Sequence, residues 1–199
     1  MAVYIAAVGN GSVSPTRSYE IDNACYVMRF NYPKHDPHHA GSKTSALCAL
    51  NSAHHMGIWL KDKEYVKSYY FMNTPHVILP YHPNAMKKVL RPIGIGRWLK
   101  GRRLHWTFDA IEEFLRQGKS IEVLPEHTVL ECYSVLGLPI EPQVQAPSTG
   151  FIGVYHLLKV FPETEIRLYG FSWEGWAGHL WERERRWMAS HPRLYPVQD

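Results

Sequence analysis

Short apolar runs of strand type alternate along this chain with segments of helical type, and that alternation restricts the fold more than any other feature. Strand-like runs fall at Val3 to Val8, Cys25 to Phe30, within SKTSALCALNSA at 42–53, and at Pro75 to His82, Ser120 to Leu124 and Glu165 to Phe171. Helical segments are expected over Thr107 to Gln117, Thr128 to Leu136, Gly150 to Val160 and about His179 to Ser190. The first of these groups Phe108, Ile111, Phe114 and Leu115 on one face and stops at Gly118. Strands separated by helices cannot pair as hairpins, so the pattern predicts an α/β sandwich with a mostly parallel sheet. Pro80 marks the fourth run as an edge strand or as the end of a strand. No Ser/Gly/Pro-rich linker divides the 199 residues, so a single domain over 1–199 is expected.

The longest apolar runs fall far short of the roughly 20 residues that span a bilayer, so no transmembrane helix is expected. MAVYIAAVGNG lacks a basic leader region and reads as a first strand, not a signal peptide. Cys25, Cys48 and Cys132 form no CxxC pair and are expected as buried thiols in a reducing, cytoplasmic compartment. The 12 histidines show neither HExxH nor Cys/His spacing, so no metal site is expected. Net charge is only +4, concentrated between Lys87 and Arg103. This basic segment, 87–103, reads either as a solvated surface or as a contact with anionic lipid or an acidic glycan. Within it, Gly94 to Arg103 suits a mobile lid or an acceptor-facing loop. No nucleic-acid partner is expected, because no helix-turn-helix, zinc-finger or RNA-binding signature surrounds the segment.

The chemistry concentrates at the ends of the predicted strands. The first runs into Gly9, Asn10, Gly11 and Ser12, a turn that lets backbone approach a nucleotide phosphate. The second ends on Arg29 and Asn31, which would face the same crevice. Ser148, Thr149 and Gly150 stand where a helix begins, so hydroxyls and free N–H groups can meet an anion there. His179 follows the next strand as a candidate base. Helical spacing puts Glu182 near its face and turns Glu184 away, while Arg183, Arg185 and Arg186 also allow plain surface ion pairing. Trp173, Trp176 and Trp181 can stack on sugar rings or fill core. The stretch from His54 to Asn73 shows weak helical periodicity and no site. A phosphate cradle followed by a base suggests transfer of a group from a phosphate-activated donor.

These residues resemble the animal-type sialyltransferase family, inverting glycosyltransferases defined by L, S, III and VS motifs. AAVGNGSVSPTRSYEIDNACYVMRFN with GSKTSAL, at 6–47, is similar to the L motif. APSTGFIGVYHLLKVFPETEIRLYGF, at 146–171, is similar to the S motif, and His179 to Glu184 fits the H-x4-E pattern of the VS motif. The resemblance implies a Rossmann-like three-layer sandwich, a variant of the GT-A fold. It implies that Asn10 and Asn31 contact the phosphate and ribose of a CMP-sugar. Ser148, Thr149 and Gly150 would hold the CMP, Phe171 would lie near the nucleotide, His179 would be the general base, and Glu184 a supporting residue. Gly9 and Arg29 belong to the matching turn and strand end. The donor would be CMP-sialic acid or another CMP-linked acid such as Kdo. The acceptor would be a glycan or glycolipid hydroxyl, and neither metal nor cofactor would be needed. An alternative is a CMP-binding module without activity, serving a glycan-assembly complex. Only seven residues separate Phe171 from His179, so HLW can be assigned to the VS motif or to a remnant of motif III. Absence of the animal cysteines and of a membrane anchor points to a bacterial-type cytoplasmic protein, with room for peripheral contact at the inner membrane face.

Overall fold

A computed structural model describes residues 3–197; the ends of the expected 1–199 domain, 1–2 and 198–199, lie outside the described residues. Seven strands are named in chain order: β1 (Tyr4–Val8), β2 (Tyr26–Phe30), β3 (Ala46–Cys48), β4 (His76–Leu79), β5 (Ser120–Val123), β6 (Glu165–Tyr169) and β7 (Leu194–Pro196). They form one sheet in the order β5-β4-β3-β2-β1-β6-β7. Every neighbouring pair is parallel. The chain builds outward from β1 to β5, then returns to place β6 on the other side of β1.

Both faces are covered, as a parallel sheet requires. Ile5, Ala7, Met28, Phe30, Cys48 and Ile78 pack beneath the helices Pro83–Val89, Glu126–Val135, Thr149–Val160 and Trp181–Ser190. The alternate residues of the same strands turn the other way. Tyr4, Ala6, Val8 and Val27 meet Ile21, while Leu47, Val77 and Leu79 meet Met56, Tyr65 and Phe71 and, from the helix Thr107–Arg116, Ala110 and Phe114. The result is the expected α/β three-layer sandwich, and its sheet is parallel throughout.

Several local expectations change. Phe108 and Leu115 are 68% and 56% exposed, because the buried stripe of their helix is Thr107, Ala110 and Phe114. Of the two readings of Pro80, the strand end holds, since it lies just past β4, and the edge does not, since β4 is interior and the edges are β5 and β7. β7 has no sequence signature, being three residues ending in Pro196, and its edge position tolerates a residue without an N–H. Cys25 is exposed, whereas burial pushes the Cys48 and Cys132 thiols well above their usual range. Arg29 is fully buried and builds the fold. Its guanidinium donates to the carbonyls of Ala40 (2.8 Å), Gly41 (2.9 Å) and Lys43 (3.2 Å) and to Thr44 Oγ1 (3.1 Å), above the Tyr70 ring. Burial pushes its pKa down to about 10, so it stays charged at neutral pH.

The Thr149–Val160 helix sits unusually close to the sheet. A Cβ at Gly153 would lie 2.5 Å from the Phe30 ring and 3.1 Å from Met28 Sδ. Gly153→Ala is therefore expected to lose stability despite the better helix propensity of alanine, by about 1–3 kcal/mol of overpacking. Equilibrium urea denaturation of the two proteins reads the difference.

Candidate functional site

All the carboxyl ends of β1, β2, β3, β4 and β6 open into one cavity of about 880 Å³. Gly9, Asn10 and Gly11 enter it from β1, Phe30 and Asn31 from β2, Leu50 and Ser52 from beyond β3, Tyr81 from beyond β4, and Gly170 to Trp173 from β6. The crevice lies where strand order reverses, between β1 and β6, the usual ligand position in an open α/β sheet.

The glycine turn after β1 is fixed by backbone contact with the end of β6. Gly9 N–H donates to Tyr169 O and Gly11 N–H to Gly170 O, both at 2.8 Å. A Cβ at Gly9 would stand 2.4 Å from Gly170 O, so glycine here permits close approach of two chain segments. Asn10 then donates through Nδ2 to Phe30 O (3.0 Å), locking β1 to β2. Asn31 adopts a left-handed φ of 57°, which asparagine tolerates better than most residues, and its Oδ1 accepts from Leu50 N–H (3.0 Å). Each asparagine thus joins neighbouring strand ends while lining the cavity.

In the segment Gln145–Ser148 the carbonyls of the first three residues and the N–H groups of Ala146 and Ser148 are all engaged. Gln145 O accepts from Tyr133 Oη (3.4 Å), Ala146 O from His179 Nδ1 (2.7 Å) and Pro147 O from Tyr81 Oη (3.1 Å). Ala146 N–H donates to Gly178 O (3.1 Å). Glu184, fully buried, accepts from Ser148 N–H (2.8 Å) and Ser148 Oγ (2.6 Å), while Ser148 Oγ accepts from Phe151 N–H (3.0 Å) to cap the helix. Ser148 is therefore fully engaged within the protein. The first turn of the helix leaves the N–H groups of Thr149 and Gly150 without an intrahelical acceptor, so two of the three residues expected at the cradle keep open backbone donors.

His179 precedes the last helix, which begins at Trp181 and not at His179. Helical spacing from His179 therefore does not apply. Glu182 is exposed and pairs with Arg186 (3.2 Å), whereas Glu184 reaches inward under the cavity. Burial raises the Glu184 pKa above its ordinary value, opposed by the Ser148 hydrogen bonds. Burial lowers that of His179, opposed by the bond to Ala146. Since a carbonyl oxygen only accepts, His179 Nδ1 carries the proton in that bond, and Nε2 of the neutral ring keeps its lone pair. The imidazole stands between Trp176 and Trp181, each 4.8 Å from it in edge-to-face contact.

Of the residues expected at the site, Gly9, Asn10, Asn31, Ser148, Thr149, Gly150, Phe171, His179 and Glu184 line one cavity. Arg29 does not, since its guanidinium is turned into the fold. Trp173, Trp176 and Trp181 also line it; Phe30, Phe171 and Trp173 form an aromatic wall with successive centroids 5.8 and 5.5 Å apart. Trp173 holds a φ of 56°, an unfavourable setting for a bulky residue. His54 and His55 reach the same cavity from a stretch read as having no site, and Arg97 and Arg102 from the segment read as a lid or an acceptor-facing loop. Among the described residues, no group of three or more His, Cys, Asp or Glu side chains is arranged to hold a metal ion.

The chain matches no protein-family model and no curated protein sequence. Solved structures do match. A mammalian sialyltransferase superposes with a TM-score of 0.52 at 15% identity, covering 98% of this chain and 69% of the other. This chain has a sialyltransferase-like fold. A mammalian sialyltransferase in complex with Gal-beta-1-3GalNAc-ortho-nitrophenol gives the same figures, 0.52, 15%, 98% and 69%. The sialyltransferase-like fold thus accounts for nearly the whole chain, including the central segments where no motif was legible.

Removing the Glu184 carboxylate isolates two buried donors of Ser148. Glu184→Leu is expected to cost about 3–5 kcal/mol and Glu184→Gln, which keeps one acceptor, clearly less. Denaturant midpoints of both variants check the order.

Proposed function

We propose that this protein is an inverting glycosyltransferase that moves an acidic sugar, sialic acid first among the candidates, from a CMP-activated donor to a glycan hydroxyl. The observation that carries the proposal is His179: its Nδ1 is tied to Ala146 O, and Nε2 is left to take a proton in the same cavity as the open helix N-terminus. Further support comes from the sialyltransferase-like fold and from the L-, S- and VS-type residues that line the cavity.

In this reading the donor phosphate meets the N–H groups of Thr149 and Gly150 at the positive end of the Thr149–Val160 helix. Asn10 and Asn31 border the nucleotide, and the wall of Phe30, Phe171 and Trp173 offers ring faces to its base or sugar. His179 Nε2 removes the acceptor hydroxyl proton. The acceptor oxygen bonds the anomeric carbon from the face opposite the phosphate. The bond from that carbon to the phosphate oxygen breaks, and CMP leaves with the electron pair. Charge developing on the phosphate is met by the helix dipole, so the scheme requires neither metal nor cofactor. The residues assigned to the donor face the CMP half that CMP-sialic acid and CMP-Kdo share, so CMP-Kdo is the alternative donor of this reading.

Turnover of CMP-sialic acid and CMP-Kdo, with unchanged rates in EDTA, tests the reaction. His179→Ala is expected to lower transfer by about 10²–10⁴ while keeping CMP affinity. Activity equal to wild type would remove His179 as the base. CMP binding without transfer or donor hydrolysis by wild type, across a broad screen, would favour a binding module instead.

The pH profile carries a second sign. The base acts when neutral, and burial lowers its pKa, so kcat/KM should rise through an acidic limb centred below 6.5 and stay level above it. A limb centred above 6.5 would contradict the buried setting of His179.

A further inference from the structure

The segment 91–103 stands out from the rest of the surface. Its helix Ile95–Leu99 buries no residue, and Ile95, Trp98 and Leu99 are 78%, 64% and 72% exposed. An added Cβ at Gly94, Gly96 or Gly101 would meet nothing within 4 Å, so the segment projects into open space. The same segment carries Arg91, Arg97, Lys100, Arg102 and Arg103 and has no acidic residue. Arg103 pairs with Asp109 (2.9 Å), but Arg97 and Arg102 turn to the cavity and line it.

We infer that this projection docks on an anionic bilayer, seating Ile95, Trp98 and Leu99 among the lipids and presenting the cavity to an acceptor carried by the membrane. The inference rests on the proposed transfer reaction only for its second half. Two observations select a bilayer as the occupant. A tryptophan and two aliphatic residues in a segment rich in arginine and lysine suit the boundary between acyl chains and anionic headgroups, where the rings and cations each find their medium. A second copy of the chain would set this cationic segment against itself in a twofold contact, which like charges oppose. Because the same segment supplies Arg97 and Arg102 to the cavity, docking brings the cavity mouth to the headgroup layer. A glycolipid with an anionic core is the acceptor class that fits.

Co-sedimentation with vesicles tests the docking without any activity assay. Binding is expected to vesicles of phosphatidylcholine with phosphatidylglycerol and not to phosphatidylcholine alone, and high salt should weaken it. Trp98→Ser with Leu99→Ser should reduce binding by about tenfold or more, and Lys100→Ser by about fivefold. Both sites are exposed and outside the cavity lining, so thermal unfolding and transfer to a soluble acceptor should match wild type. Transfer to a vesicle-borne acceptor should fall in the double variant. Equal binding to neutral and anionic vesicles, no binding to either, or unchanged binding by the double variant would overturn the docking. Binding without faster transfer to the vesicle-borne acceptor would overturn the acceptor assignment, and loss of all transfer by wild type would instead count against the reaction itself.

Discussion

Four residues of irregular chain, Gln145–Ser148, hold the candidate site together, and they do so because distant side chains satisfy their backbone. Tyr133 comes from the Glu126–Val135 helix, Tyr81 from beyond β4, His179 from the loop after β6, and Glu184 from the last helix. Buried non-helical backbone is costly unless each polar group finds a partner, so the segment can exist only where these four elements meet. The same bonds fix functional geometry. The partner of Ala146 sets the tautomer of His179, and the partner of Ser148 sets the start of the Thr149–Val160 helix. The proposed base and the proposed anion site are therefore positioned by one structural unit, as a preorganised site requires.

That unit also separates supporting groups from groups left for a ligand. Ser148, Glu184 and Arg29 are polar residues whose bonding capacity is largely turned inward, and they shape the site through bonds within the protein. Thr149 and Gly150 N–H and His179 Nε2 lie beside them with no role in the same network. The donor phosphate and the acceptor proton are assigned to these groups because the fold leaves them open. The aromatic wall, with Trp173 held at positive φ, completes a cavity polar at one end and ring-lined at the other.

Much of this was legible locally. The glycine turn after β1, the helix start at PSTG and the strand ending in YGF rest on near-neighbour chemistry, and they fell where expected. The parallel sandwich followed from alternation alone. What failed needed long-range information. Glu184 was turned away by a helix counted from His179; the helix begins two residues later, and its partner is 36 residues upstream. Arg29 had the right strand end, but its crossover loop offered four carbonyl and hydroxyl acceptors that no spacing reveals. Phe108 and Leu115 looked like core because hydrophobicity identifies an apolar side chain and not the stripe that tertiary contact selects. His54, His55, Arg97 and Arg102 converge only once β3 and β4 are placed, and their own segments lack a motif.

The central claim is that this cavity holds the CMP half of a donor with His179 facing the carbon that reacts. A crystal structure with CMP bound tests it most directly. The phosphate should accept from the N–H groups of Thr149 and Gly150, with the nucleoside beside Asn10, Asn31 and the Phe171 wall, and His179 Nε2 directed toward the open side of the phosphate. CMP bound elsewhere, or a phosphate held away from the Thr149–Val160 helix with Nε2 turned from it, would contradict the account.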